Sequence, residues 1–183
     1  SKYTYDSTQR RKGDNVMEFR KAVESDIDRI MDIIRQAQAY FKKEGIDQWQ
    51  NNYPNDEVIR DDIENGYGYV LLKEGEIVGT VAVSFDGEKT YNKIYGGKWL
   101  SNLPYAVIHR LAIDSNFKGQ GLASVIIKNI EKMCLNRGIH SIRIDTHEDN
   151  KSMQRLIEKN GFQYCGIIYL EDNSERLAFE KLI

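Results

Sequence analysis

The stretch from Tyr105 to Ser124, YAVIHRLAIDSNFKGQGLAS, joins an apolar run to a short polar segment, two glycines and the start of a helix pattern. It predicts a strand, a turn and a helix N-terminus in succession. The first N–H groups of a helix lack internal partners and lie at the positive end of the helix dipole. Because Gly119 and Gly121 leave the backbone bare, we expect this junction to bind a phosphate group.

Three phosphate-binding designs share this outline. The P-loop requires G-x-x-x-x-G-K-S/T, which this sequence lacks. The dinucleotide fingerprint G-x-G-x-x-G is nearly matched by Gly119, Gly121 and Ser124, with Asp145 where a ribose-binding acid is expected. However, residues 114–118 separate the first glycine from its strand, and too little chain follows Asp145 for a doubly wound sheet. A dinucleotide-binding protein is therefore the weaker interpretation.

The sequence matches the third design in two separate segments. Residues 118–123, KGQGLA, resemble the R/Q-x-x-G-x-G/A pyrophosphate loop of the GCN5-related N-acetyltransferase (GNAT) family, and the strand before them ends in LAI, as in that family. Residues 150–162, NKSMQRLIEKNGF, are similar to the family's second motif, N-x-x-A/S-x-x-L/F-Y-x-x-x-G-F. The two motifs stand in the family's order, and the resemblance extends over most of the chain from Met17.

Two positions depart from the family pattern. Lys118 replaces the usual Arg or Gln, a mild change because the loop acts mainly through backbone amides. Ile157 replaces the tyrosine that commonly protonates the departing CoA thiolate. Three alternatives stay open: a thiol of pKa about 8.5 needs no acid, Tyr164 or Tyr169 substitutes, or activity is lost. The last alternative would leave a non-catalytic acyl-CoA-binding module.

The resemblance implies a mixed α/β fold. We expect a central, mostly antiparallel sheet of six to seven strands, flanked by about four helices and splayed apart at the cofactor strand pair. Residues 17–183 are predicted to form one N-acetyltransferase domain, and the polar residues 1–16 a flexible tail. The local patterns predict a helix capped near Ser25, a helix introduced by Pro54 and Asn55, a hairpin turn at Glu74 and Gly75, an irregular segment over 86–103, a helix over 122–137, a strand over 141–146, a helix from Asn150, and strands over 162–170 and 176–181.

The same resemblance implies acetyl-CoA as co-substrate, without a metal. The strand backbone of Leu111, Ala112 and Ile113 would bind the two amides of pantetheine, and the Leu111 N–H would stabilise the thioester oxyanion. Asn150 is predicted to cap its helix and to contact the pantetheine arm, with Ser152 also within reach. The residues predicted to hold the pyrophosphate are Lys118, Gly119, Gln120, Gly121, Leu122, Ala123 and Ser124.

His109 is the candidate general base. A substrate amine with a pKa near ~10.4 is protonated at neutral pH and must lose that proton before it attacks. Strand alternation predicts that His109 faces the same side as Leu111, whereas Arg110 faces the opposite side and forms a salt bridge. In the aralkylamine N-acetyltransferases a histidine occupies the matching place. The competing interpretation is a buried histidine hydrogen-bonded within the sheet.

The acceptor pocket is less defined by sequence. By the family's layout, the segments bordering the acyl end carry Trp49, Tyr53, Trp99 and Tyr105. Aromatic faces suit cationic or aromatic amines, but large aromatics in loops also anchor those loops onto the core. The predicted acceptor is therefore the primary amine of a small molecule or of an exposed protein side chain or terminus.

Composition narrows the class further. The chain has 183 residues and a formal net charge of -2, so no global field favours nucleic acid or an anionic membrane. Cys134 and Cys165 lack the framing typical of disulfides, which predicts a cytoplasmic location. The three histidines show no metal-ligand spacing with either cysteine. Edge strands near the C-terminus leave both a monomer and a homodimer open.

Overall fold

A computed structural model describes residues 16–183, so the predicted tail lies almost entirely outside the described residues. Val16, its last residue, already continues the first strand, because its carbonyl accepts a hydrogen bond from the Glu74 N–H at 2.9 Å. The strands are β1 (Met17–Lys21), β2 (Gly68–Lys73), β3 (Glu76–Ser84), β4 (Ala106–Ile113), β5 (Ser141–Thr146), β6 (Gln163–Tyr169) and β7 (Glu175–Leu182). The helices are α1 (Ile27–Glu44), α2 (Asp56–Glu64), α3 (Leu122–Asn136) and α4 (Lys151–Lys159).

All seven strands of the described chain form one sheet in the order β1-β2-β3-β4-β5-β7-β6. Neighbouring strands are antiparallel except β4 and β5, which run parallel. This sheet confirms the predicted mixed α/β fold. It also rules out the doubly wound parallel sheet on which the dinucleotide interpretation depended.

The sheet is covered on both faces. On one face, α3 and α4 pack through Ile126, Ile130 and Ile157 against strand residues such as Leu71 and Ile108. On the other, α1 and α2 pack against alternate strand residues, including Val70 and Leu72. The segment between β3 and β4 covers the rest of that face through Tyr91, which is 2 % exposed and packs with Val107 of β4.

Local signals fix most element ends. The β2–β3 hairpin turns at Glu74 and Gly75, whose φ angles are +51° and +81°, as expected for a turn with two left-handed residues. Asn55 caps α2 by accepting from the Val58 N–H at 3.0 Å. Asn150 caps α4 by accepting from the Met153 N–H at 3.1 Å.

The predicted cap at Ser25 is wrong. The chain first makes a 3₁₀ turn over Glu24–Asp26, and α1 begins only at Ile27. The carboxylate of Asp26, held by Arg20 at 2.7 Å, accepts the Val23 N–H at 2.8 Å. Asp26 therefore organises this end of the helix.

Two irregularities in β4 shape the middle of the sheet. Opposite β3, His109 pairs with Ala82 and Ala112 pairs with Thr80, so Arg110 and Leu111 together face one residue, a β-bulge. Arg110 adopts φ +53°, the left-handed region that favours glycine. On its other edge, β4 pairs with β5 only through Ala106 and Val107, and the strands then diverge. The predicted splay is confirmed.

Candidate active site

A cavity of about 650 Å³ opens where β4 and β5 diverge. Its floor is made by the two strands, from Ile108 to Leu111 and from Ile144 to Thr146. Its walls come from three connections, residues 47–53 between α1 and α2, residues 86–90 after β3 and residues 170–174 between β6 and β7, together with the end of α2 and Arg176 of β7. Most of its lining residues belong to loops, which are held in place by the sheet below.

The bulge changes which way the predicted catalytic residues face. Leu111 packs with Ala106 and Ile108 on the α3 face, so it does not share the side of Val107 as simple alternation predicted. Arg110 lines the same cavity as His109, which corrects the expectation that it faces away. The cause is the extra residue in β4, which shifts the alternation by one position from Arg110 onward.

Arg110 forms a salt bridge, as its sequence position predicted. Its guanidinium donates to both carboxylate oxygens of Asp62 on α2, at 2.8 and 2.6 Å, and to the Tyr53 hydroxyl at 2.9 Å. The bidentate pair ties the bulge to α2 and fixes one wall of the cavity.

His109 lies half-buried in the cavity, with its Nε2 atom 3.6 Å from Oε2 of Glu88. The other oxygen of Glu88 accepts from the hydroxyl of Thr90 at 2.9 Å. Burial, with a further contribution from the Arg110 guanidinium, lowers the pKa of His109 to about 3. The imidazole is therefore neutral at physiological pH and a weaker base than its ordinary pKa suggests.

A second carboxyl group lies in the same cavity. Asp145 on β5 accepts a hydrogen bond from the Tyr91 hydroxyl at 2.6 Å. Burial raises the pKa of Asp145, and the charge of nearby Glu88 acts in the same direction. Burial also raises the pKa of Tyr91 well above its ordinary value, so the phenol stays protonated and donates. Neither Glu88 nor Asp145 was predicted to be catalytic from sequence, because neither lies in a motif that indicates such a role.

Thr146, the last residue of β5, carries an unpaired hydroxyl. It is fully buried and lines the cavity, and its Oγ1 has no hydrogen-bond partner within residues 16–183. A buried polar atom without a partner is rare and marks a place that a ligand or water completes.

The predicted acceptor aromatics separate into two pairs. Trp49 and Tyr53 line the cavity, as predicted. Trp99 and Tyr105 do not line it, because their rings enclose the guanidinium of Arg143 from both sides, each at 4.1 Å. That guanidinium donates to the buried carboxylate of Glu180 at 3.1 Å. This second pair therefore anchors its loop to β5 and β7, the alternative that the sequence left open.

The predicted phosphate loop has an open backbone. Gly119 and Gly121 have φ angles of +79° and +73°, and an added Cβ at either would meet nothing within 4 Å. Val125 donates its N–H to the Gly121 carbonyl at 3.2 Å, whereas in the described chain the N–H groups of residues 119–124 donate to no acceptor. These groups form the free N-terminus of α3, where an anion is stabilised.

Two lysines flank this loop. Lys118 lies with its ammonium 4.5 Å from the ring centre of Tyr40, and Lys73 donates to the side chain of Gln120 at 2.7 Å. The side chains of Leu122 and Ala123 pack into the core, and Ser124 accepts a hydrogen bond from Asn160 at 3.1 Å. The loop is thus anchored on its inner side and cationic on its outer side.

The remaining predicted cofactor residues lie along the splayed strands and at the start of α4. Ala112 and Ile113 follow the bulge, and Ile113 ends β4. Asn150 is buried, and its amide donates to Gln48 at 3.0 Å, which links α4 to the α1–α2 loop. Ser152 is exposed in the first turn of α4.

The candidate substitutes for the missing tyrosine lie elsewhere. Ile157 is fully buried in the core under α4. Tyr164 is 52 % exposed on the edge strand β6 and packs on Phe179, while Tyr169 donates to Glu175 at 3.3 Å. Neither tyrosine lines the cavity, so that alternative is not supported by their positions.

Comparison with known proteins identifies the class. The model of the acetyltransferase (GNAT) family matches residues 29–162. The chain therefore belongs to the GNAT family. This membership supports an N-acetyltransferase activity in general terms.

Particular relatives agree with this class. The crystal structure of a GNAT acetyltransferase from Streptococcus agalactiae 2603 has 39 % sequence identity and a TM-score of 0.84, covering 91 % of this chain and 95 % of that one. The uncharacterized N-acetyltransferase YesJ of Bacillus subtilis strain 168 is 25 % identical in an alignment of 169 residues, and the match covers 88 % of this chain and 88 % of that one. A GNAT acetyltransferase from Listeria monocytogenes 4b F2365 shares the fold, with a TM-score of 0.71 at 20 % identity, covering 93 % of this chain and 100 % of that one.

Two further features of residues 16–183 bear on the class of protein. No grouping of His, Cys, Asp and Glu there has the arrangement of a metal site. No helix in that range is long and apolar enough to cross a membrane.

Proposed function

We propose that the chain transfers the acetyl group of acetyl-CoA to a primary amine by direct attack. The observation that carries the proposal is the cavity between the splayed strands β4 and β5, whose lining includes Glu88, His109 and Asp145. The open N-terminus of α3 lies at the end of the same strand–turn–helix unit. Phosphate binding and proton transfer are thereby combined around one gap in the sheet.

The part of the site that would bind acetyl-CoA, here called the cofactor half, uses backbone groups. The free N–H groups of residues 119–124 would bind the pyrophosphate, with Lys118 and Lys73 adding positive charge. Beyond Val107, the edge of β4 that faces β5 has no strand partner in the described chain. The peptide groups of Leu111, Ala112 and Ile113 would pair there with the amides of pantetheine. Asn150 and Ser152 would contact the same arm at the start of α4.

The substrate nitrogen loses two protons, one before the ammonium can attack and one as the amide forms, and the thiolate takes one back. The amine nitrogen attacks the thioester carbonyl carbon, the C–S bond breaks, and CoA leaves as a thiolate. We propose that neutral His109 passes the amine proton to Glu88, because a histidine of pKa about 3 holds it poorly by itself. The Leu111 N–H would stabilise the oxyanion.

The departing thiolate does not need a tyrosine. With a pKa near ~8.5, a thiolate is a tolerable leaving group and takes a proton from solvent or from the relay. Thr146 is the buried hydroxyl in the cavity that lacks a partner. We propose that it donates a hydrogen bond to the acyl carbonyl or to the sulfur of the bound thioester.

The acceptor half would be formed by Trp49, Tyr53 and the acidic side chains of the cavity walls. A primary amine of a small molecule suits this cavity, because its volume falls within the range of small-molecule sites. We propose a cytoplasmic location, supported by two buried free cysteines, Cys134 and Cys165. The working assembly is a monomer or a homodimer.

Calorimetric titration with acetyl-CoA, with NAD as the control ligand, tests the cofactor half. Gly121→Asp and Gly121→Asn form a matched pair, since both residues tolerate the left-handed region and differ in charge. We expect Gly121→Asn to weaken acetyl-CoA binding modestly and Gly121→Asp to abolish it. Tighter binding of NAD, or equal binding by the two variants, would contradict the phosphate site.

Loss of the usual tyrosine at Ile157 favours one rival, a non-catalytic acyl-CoA-binding module. That module binds acetyl-CoA but releases no thiol with any amine. Release of CoA thiol in a screen of primary amines, lost in Glu88→Gln, would exclude it.

A further inference from the structure

The cavity is unbalanced in charge. Its lining includes six carboxylates, Asp47, Asp62, Asp86, Glu88, Asp145 and Asp172, and two guanidiniums, Arg110 and Arg176. No lysine lines it within the described residues. One guanidinium is already neutralised, since Arg110 pairs with both oxygens of Asp62. In the described part of the chain, none of the other five carboxylates forms an ion pair with a lysine or arginine.

These carboxylates lie at two depths. Glu88 and Asp145 are half-buried beside His109. Asp47, Asp86 and Asp172 are exposed, and each belongs to a different connection around the opening. The inner pair lies where an amine would attack, whereas the outer three form an acidic rim. Burial is the main cause of the raised pKa of Asp145; the charge of Glu88 acts in the same direction, whereas the Tyr91 hydroxyl and the charge of Arg176 oppose it.

An independent feature indicates that an occupant belongs here. The Thr146 hydroxyl lines the same cavity, is fully buried, and has no hydrogen-bond partner within residues 16–183. Trp49, Tyr53 and Tyr67 add aromatic surface to the walls, which can attract ammonium groups. The lining therefore combines excess negative charge, aromatic surface and an unfilled hydrogen-bonding position.

We propose, building on the acetyltransferase function above, that the acceptor is a small aliphatic diamine or polyamine. The reacting amine lies against Glu88 and Asp145, and a second ammonium lies at the rim formed by Asp47, Asp86 and Asp172. A monoamine would leave the rim uncompensated, because only one positive charge would enter the cavity. A cavity of about 650 Å³ is sized for such a small molecule.

Two substrates of equal length isolate the second charge. Butane-1,4-diamine and n-butylamine differ by one terminal ammonium, and thiol release from acetyl-CoA gives kcat/KM for each. We expect the diamine to be preferred at least 10-fold, with spermidine similar to or better than the diamine. Equal values for the pair, or faster turnover of a lysine-rich peptide, would overturn the proposal.

A binding measurement separates this inference from the proposed function. Calorimetry of both amines with the chain saturated in CoA compares their affinities without turnover. If no amine releases thiol, the transferase function fails, yet tighter binding of the diamine still supports the diamine site. Equal affinity, or no binding of either amine, overturns it.

Rim variants test the location. Asp86→Asn combined with Asp172→Asn should lower the diamine-to-monoamine ratio of kcat/KM at least five-fold. Glu171→Gln is the matched control, because Glu171 is exposed beside Asp172 but does not line the cavity. It should leave the ratio unchanged. A ratio that falls equally in the control, or that the double variant does not alter, overturns the assignment.

Discussion

The Nε2 atom of His109 lies 3.6 Å from Oε2 of Glu88, and Thr90 holds the second oxygen of that carboxylate at 2.9 Å. The turn after β3 thus presents an oriented carboxylate to an imidazole on β4. Burial keeps His109 neutral. In the proposed relay the imidazole and the carboxylate have different tasks, so neither residue replaces the other.

Glu88→Gln should lower kcat by about 100-fold or more, the scale of a lost general base, and leave the affinity for acetyl-CoA intact. Thr90→Val, which removes only the orienting hydroxyl, should have a smaller effect in the same direction. Steady-state kinetics with saturating acetyl-CoA measures both. A rise in KM for the amine with unchanged kcat would show instead that Glu88 only attracts the substrate.

Stability below neutral pH should depend on His109. Its pKa is about 3 in the folded chain against 6.5 ordinarily, so the unfolded chain takes up a proton that the folded chain resists. The free energy of unfolding therefore falls as pH drops from 6.5 toward 3. Relative to His109→Gln, the wild type should lose about 1–2 kcal/mol more between pH 8 and pH 5. Urea titrations at the two values measure this difference, and parallel losses would show that the imidazole is not held neutral.

Thr146→Val separates stability from activity. The substitution keeps the shape and removes a buried hydroxyl that has no partner in the described chain. We expect the free energy of unfolding to stay equal or to rise by about 1 kcal/mol, while kcat/KM falls. Thermal unfolding tests the predicted stability, and thiol release tests the predicted fall in kcat/KM. Destabilisation by more than about 1 kcal/mol would indicate a structural hydrogen bond to water instead.

Arg143, whose guanidinium packs against the rings of Trp99 and Tyr105, should affect the stability of the fold and not the binding of the amine. Its buried partner Glu180 also accepts from Ser101 at 2.6 Å and from Ser141 at 2.7 Å. Glu180→Gln should reduce stability by about 3 kcal/mol, because an uncompensated guanidinium stays buried. KM for the amine should not change in Glu180→Gln or in Trp99→Leu. A selective rise in KM would return Trp99 to the acceptor pocket.

Sequence patterns predicted the regular parts of this fold well. The strand over 141–146 was predicted with its observed bounds, the cap at Asn150 was identified by residue, and α2 begins directly after Pro54 and Asn55, as predicted. Such features depend on a few neighbouring residues. The splay of β4 from β5 was implied by family resemblance and is confirmed.

The bulge and the carboxylates of the site were not predictable in this way. An arginine at φ +53° contradicts local preference, and the Asp62 pair that holds it joins residues far apart in sequence. Glu88 and Asp145 line the same cavity only because the sheet brings the connection after β3 close to β5. The local sequence around Trp99 and Tyr105 does not indicate that their rings pack on a cation, because their partner Arg143 comes from the distant strand β5.

The hydrogen bond from Asn150 to Gln48 has a kinetic consequence. It joins the start of α4 to the loop that carries Trp49 and Tyr53. In the proposed complex, a pantetheine arm that took over the Asn150 amide would release Gln48, so the proposed acceptor loop would be altered before the amine arrives. Binding should therefore follow a compulsory order, with the thioester first, and the amine alone should dissociate quickly from the empty protein.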